Sequence, residues 1–122
     1  ISLPMKIIFY LSTCDTCKRI LDEIKPGPDV VLQDIKANPA SPEQLELMKN
    51  LAGSYQSLFS KVARKFRAMG LHEMQLKESD YKRYLTIEYT FLKRPVTIVG
   101  NKIFIGNSDK AVADAKQAIH EG

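Results

Sequence analysis

The chemistry in this chain is concentrated in two residues. Cys14 and Cys17 are its only cysteines, and Asp15-Thr16 lies between them. Two thiols at this spacing can supply half of a four-thiolate metal site or act together as nucleophile and resolving group. A zinc site needs a second pair of ligands, and neither His72 nor His120 stands at a spacing that would complete one, so no metal is expected. Nor does a single close pair make a structural disulfide framework of the secreted kind. Thiol–disulfide chemistry remains, and it requires an activated thiolate.

The elements around the pair supply that activation. Residues 5–11 form a short apolar run rich in β-branched and aromatic side chains, of strand length, which Ser12 and Thr13 end. From Thr16 to Lys25, Ile20, Leu21 and Ile24 recur at helical spacing among charged residues until Pro26-Gly27-Pro28 stops the helix. Cys14 therefore falls where a strand ends and a helix begins. Exposed N–H groups and the positive end of the helix dipole favour a thiolate there, and Cys17 lies one turn on, on the same face. Lys18 and Arg19 add positive charge nearby. The expected nucleophile is Cys14 and the resolving thiol Cys17.

Beyond the pair, residues 30–35 predict a second strand. Ser41-Pro42-Glu43-Gln44 has the form of a capping box, opening a helix that runs to about Leu51. After Gly53, Leu58, Val62, Phe66 and Met69 predict a helix over 54–69 closed by Gly70, and a further helix is expected over 77–92. Residues 96–99 and 102–105 read as two strands about the turn Gly100-Asn101. A last helix follows, capped by Asn107 or Ser108, with Val112, Ala115 and Ile119 on one side. The order is βαβ, helices, β-hairpin, α, with Cys-x-x-Cys at the first strand-to-helix turn. It predicts an α/β, thioredoxin-like fold with a helical insertion between its two halves. One domain over 5–122 is expected, with the insertion at about 41–92 and residues 1–4 a tag or an extension. In such a fold Pro95, entering the hairpin, is expected to be cis and to lie beside the thiols, with Arg94 facing them.

An apolar fraction of 44% beside 26% charged residues excludes a disordered polymer and leaves enough material for a core. No apolar run approaches the roughly 20 residues of a membrane-spanning helix, and no secretory segment is read at the start, so a cytoplasmic protein is expected. The net charge of +4 is uneven: residues 61–94 hold nine basic and four acidic side chains. A solvated basic face accounts for that excess, and no nucleic-acid binding is expected. His72 and the tyrosines 81, 84 and 89 are read as surface and packing residues.

Tyr10-Leu11-Ser12-Thr13-Cys14-Asp15-Thr16-Cys17-Lys18, Asp34-Ile35-Lys36 followed by Pro39, the stretch from Leu58-Phe59 to Gly70-Leu71, and Leu92-Lys93-Arg94-Pro95 together resemble the ArsC/Spx family. That family comprises glutaredoxin-linked arsenate reductases and the Spx transcription regulators. The reductase pattern implies Cys14 as nucleophile and Arg94 as an oxyanion-binding arginine, a role that bidentate guanidinium geometry suits. The reductases use three arginines and a His-Asn-Pro-x-Cys setting. Here that His is absent, Ser60 or Lys61 stands at the insertion's arginine with Arg64 and Arg67 nearest, and Ile105-Gly106-Asn107 stands at the third. The resemblance thus implies an anion site of Arg94, Lys18 and Arg64, with Pro95 as its structural support. The regulators carry Cys-x-x-Cys at this turn and a glycine in the insertion, matched by Gly53, in a surface that meets the RNA polymerase α-subunit.

The expectation is a monomeric thiol–disulfide oxidoreductase of the arsenate-reductase-like group without a bound cofactor. Its partner is glutathione, or a thioredoxin or glutaredoxin as electron donor. The alternative is an Spx-like redox-switched regulator that binds the RNA polymerase α C-terminal domain.

Overall fold

The computed structural model describes residues 6–121. Met5, where the first strand was expected to begin, and the extension read at residues 1–4 lie outside them. The chain forms two compact units: residues up to 39 together with 94 onward, and residues 40–93.

The first unit carries β1 (Lys6–Tyr10), α1 (Asp15–Ile24), β2 (Val31–Asp34), β3 (Val96–Val99), β4 (Lys102–Ile105) and α5 (Asp109–Glu121). The strands make one sheet in the order β2-β1-β3-β4. β1 runs parallel to β2, in register Ile7 with Val31 through Tyr10 with Asp34, and antiparallel to β3. The β3–β4 hairpin turns at Gly100, whose φ of 61° is open to glycine at little cost. A parallel neighbour needs a crossover, and α1 supplies it. Ile8, Ile20, Ile24, Val30, Val112, Ala115 and Ile119 form the buried cluster in which α1 and α5 pack on the sheet. This is a thioredoxin-like α/β fold interrupted by a helical insertion. α5 starts at Ser108, whose hydroxyl accepts from the Ala111 N–H at 3.1 Å, so of the two expected caps it is Ser108 that serves.

The second unit carries α2 (Pro42–Ala52), α3 (Arg64–Ala68) and α4 (Glu78–Ile87) with short 3-10 turns between them. The capping box on α2 is formed: Ser41 Oγ accepts from the Gln44 N–H at 3.1 Å and Gln44 Oε1 from the Ser41 N–H at 3.0 Å. Gly53, at φ 102°, closes the helix with its N–H on the Lys49 carbonyl.

Two expectations are corrected here. The helix expected over 54–69 is broken into a 3-10 turn, Gln56–Leu58, an extended Phe59 and the five-residue α3. Ser54 and Ser57 bond each other's backbone, offering the chain a turn in place of a helix. Phe59 then pairs with Leu92, with the Ser60 N–H on the Phe91 carbonyl and the Lys93 N–H on the Leu58 carbonyl. Val62, placed on the apolar stripe by its spacing, is 93% exposed. The helix expected over 77–92 stops at Ile87. Glu88 turns extended, and its carboxylate accepts from the Thr90 N–H and hydroxyl and from Lys65. Of the three tyrosines read as packing, Tyr81 and Tyr84 are buried and Tyr89 is half-buried: Tyr81 meets Phe59 edge-on at 5.0 Å between ring centroids, Tyr84 meets Phe91 edge-on at 6.2 Å, and Phe59 stacks on Phe91 at 4.8 Å. Among the described residues, no helix is long and apolar enough to cross a membrane.

Candidate functional site

Cys14 is the N-cap of α1, with extended backbone (φ −101°, ψ 114°). Its N–H donates to the Leu11 carbonyl at 3.0 Å, and its own carbonyl accepts from the Lys18 N–H at 3.2 Å. The chain thus leaves β1, makes one tight turn and enters α1 with the Cys14 side chain at the open end of the helix. Cys14 is half-buried, and Cys17, one turn on, is wholly enclosed among the core residues of α1. Both are free thiols.

The environment drives the two thiols apart. Partial burial opposes ionisation of Cys14. The N–H of Cys17, the Cys17 thiol, the N–H of Thr16 and the Arg94 guanidinium outweigh it, and the Cys14 pKa falls below its ordinary value. No regular capping hydrogen bond is made by the Cys14 side chain, so the sulfur stays available while the helix N–H groups act on it. Cys17 moves the other way. Burial is the main cause, the negative charge and hydrogen bonding of Cys14 add to it, and the Leu11 N–H and Arg94 oppose it without prevailing, leaving the thiol at about 11. A proton held on Cys17 is a donor to the Cys14 thiolate.

Arg94 is half-buried and joined to Pro95 by a cis peptide bond. Pro95 is buried, and its carbonyl accepts from the Gly106 N–H at 2.9 Å, which ties the hairpin entrance to the end of β4. The fold therefore brings together Cys14, Cys17 and Arg94, from α1 and from the segment entering β3. Lys18 is exposed on α1 and is not among the groups that principally set the Cys14 ionisation. Arg64 is exposed at the start of α3, in the unit of residues 40–93. Lys61 of that unit has its ammonium 6.0 Å from the centre of the Tyr81 ring.

Sequence reasoning passed over one contact. Asp34 marks the exit of β2 in the sequence, and in the fold its Oδ1 accepts from the backbone N–H of Ser12 and from that of Lys36, each at 3.1 Å. The Ser12 hydroxyl bonds the same carboxylate and is the main reason the Asp34 carboxyl sits below its ordinary range. The available signal was an Asp followed two residues later by a non-proline at a strand end, the pattern of an Asx turn. Nothing in it pointed to Ser12.

The ArsC family model matches residues 9–115. Among solved structures, the YFFB protein is 23% identical, with a TM-score of 0.73 over 91% of this chain and 98% of that one. An arsenate reductase (ArsC) related protein from Brucella melitensis is 18% identical, with a TM-score of 0.69 over 87% and 89%. The arsenate reductase from Vibrio cholerae is 14% identical, with a TM-score of 0.71 over 91% and 97%. These likenesses establish a shared fold. No curated protein matches the chain. With a thiol at the head of α1, an arginine before a cis-proline, and a family match spanning most of its length, the chain belongs to the ArsC family.

Proposed function

We propose that the protein is a thiol–disulfide oxidoreductase of the arsenate-reductase-like group, with Cys14 as nucleophile and Cys17 as resolving thiol. One observation carries the reading: a half-exposed sulfur at a helix N-terminus, served by Arg94, stands beside a buried thiol whose ionisation is shifted in the opposite sense. Family membership supports it.

With arsenate as substrate, the Cys14 thiolate bonds to arsenic and one arsenate oxygen leaves as water. Arg94 holds the remaining oxygens, since charge-assisted bonds from a planar guanidinium suit an oxyanion. Formation of the S–As bond removes the negative charge that raises Cys17. Cys17 then loses its proton more readily and attacks the Cys14 sulfur. The S–As electron pair passes to arsenic, which is thereby reduced and leaves as arsenite carrying the proton given up by Cys17, and a Cys14–Cys17 disulfide remains. An external thiol reductant, glutathione or a thioredoxin- or glutaredoxin-type dithiol protein, reduces that disulfide and is itself oxidised.

The test is arsenate-dependent NADPH oxidation coupled in turn to a glutathione/glutaredoxin and a thioredoxin/thioredoxin reductase system, with Cys14→Ser as control. Turnover is expected in one of them and is lost in the control. No turnover with either donor, in a protein that still forms the Cys14–Cys17 disulfide, would sink the arsenate reaction. The search would then turn to a redox-switched partner such as the RNA polymerase α C-terminal domain, tested by capture with reduced and oxidised protein.

A further inference from the structure

We infer that Asp34 is a positioning residue for Cys14: its carboxylate oxygen, by taking the Ser12 N–H, fixes the turn that carries the nucleophile from β1 to the head of α1. The inference rests on the reading of Cys14 as nucleophile. It concerns how the turn is held, which no step of the proposed reaction assigns.

The two ends of that turn are anchored independently. β1 is held by its ladders to β2 and β3, and α1 by Ile20 and Ile24 in the core. Between them, Leu11, Ser12 and Thr13 belong to no strand or helix. Leu11 is the residue through which Cys14 is placed: its carbonyl takes the Cys14 N–H at 3.0 Å. Ser12 is the next residue, and Asp34 holds its N–H and its hydroxyl. Asp34 is not needed to seat β2, because the pairing of Tyr10 with Asp34 and the bond from the Ile35 N–H to the Tyr10 carbonyl already close the strand pair. Beyond that last rung, the carboxylate acts on the nucleophile's turn. The same oxygen takes the Lys36 N–H, which fixes the carboxylate in an Asx turn, so the acceptor is itself preorganised. Loss of the acceptor leaves a backbone N–H without its partner and lets residues 11–13 move. The Cys14 sulfur then moves relative to the N–H groups of Thr16 and Cys17 that favour its charged form.

The experiment reads the rate of iodoacetamide alkylation of Cys14 against pH, in the reduced full chain, for the unaltered protein and for Asp34→Ala, Asp34→Glu and Asp34→Asn. The unaltered protein is expected to alkylate with a midpoint below that of a free cysteine. Asp34→Ala removes the acceptor, and Asp34→Glu carries it one methylene too far. Both should raise the midpoint and slow alkylation at neutral pH by about threefold to tenfold, since each unit of pKa is a factor of ten in thiolate. Asp34→Asn keeps an oxygen at the same reach without the charge and should stay within about twofold of the unaltered protein. Should Asp34→Ala fail to fold, Asp34→Glu reads the same quantity with the carboxylate retained. A merely structural role would lower the melting temperature and leave the pH midpoint in place. An ordinary thiol midpoint in the unaltered protein would remove the reading of Cys14 itself. A depressed midpoint that Asp34→Ala and Asp34→Glu leave unmoved would overturn the role of Asp34 alone. Equal shifts in Asp34→Asn and Asp34→Ala would overturn the acceptor argument.

Discussion

Cys17 sits one helical turn beyond Cys14, and the two thiols are driven apart: burial, joined by the charge of Cys14, raises the pKa of Cys17, while the N–H and thiol of Cys17 help hold that of Cys14 below its ordinary value. On the proposed reading, Cys14 is the reactive sulfur of the reduced protein and the buried Cys17 keeps its proton.

That division predicts the order of modification. Limited iodoacetamide should label Cys14 at pH values where Cys17 stays unlabelled, and peptide mass spectrometry after a short pulse reads the ratio. Replacing Cys17 with Ala removes a donor to the thiolate, so the Cys14 midpoint should rise. A midpoint unchanged in Cys17→Ala would mean that the helix N–H groups and Arg94 suffice.

The same shifts set opposite slopes of stability with pH. For Cys14 the folded pKa lies below the ordinary 9.0, so its contribution is present above 9.0 and is lost as pH falls through the folded value. For Cys17 the folded pKa is about 11 against an ordinary 9.0, so its contribution is present below 9.0 and is lost as pH rises through about 11. Melting temperatures of the reduced protein and Cys17→Ala should therefore converge as pH rises across that upper window. A constant difference would contradict the shift.

Arg94→Ala should weaken an oxyanion substrate and raise the Cys14 midpoint together. Loss of charge-assisted bonds worth roughly 1.5–3 kcal/mol corresponds to about tenfold to a hundredfold in kcat/KM. Arg94→Lys keeps the charge but not the planar fork, so it should restore the midpoint more fully than the turnover. The alkylation profile and the steady-state rate separate the two functions.

The helical unit offers two controls remote in sequence from the thiols. Ser41→Ala removes an N-cap acceptor and should cost about 1 kcal/mol in denaturant unfolding. Phe91→Ala empties a fully buried position stacked against Phe59 and should cost about 3–5 kcal/mol. Similar small losses from both would mean that the aromatic cluster is not the core of this unit.

Much of this protein was determined by local sequence, because the signals were local. Ser41-Pro42-Glu43-Gln44 carries its own acceptor and donor for a helix start, and Gly100-Asn101 between two apolar runs specifies a hairpin within a few residues. Cys14 at the meeting of a strand and a helix followed from the same kind of pattern, and its placement at the N-cap of α1 comes from the residues beside it. Tertiary structure decided what depends on groups far apart in the chain. Phe59 is drawn out of helical spacing by pairing with Leu92, which helix periodicity cannot register. Glu88, poised between Lys65 and Thr90, ends a helix that its neighbours would have continued. Arg94 reaches the thiols because β3 lies beside β1, and Asp34 reaches Ser12 because β2 lies on the other side of it. Hydrogen bonds and charges act over a few ångströms of space whatever the separation along the chain, so only the folded sheet brings these groups to the cysteines.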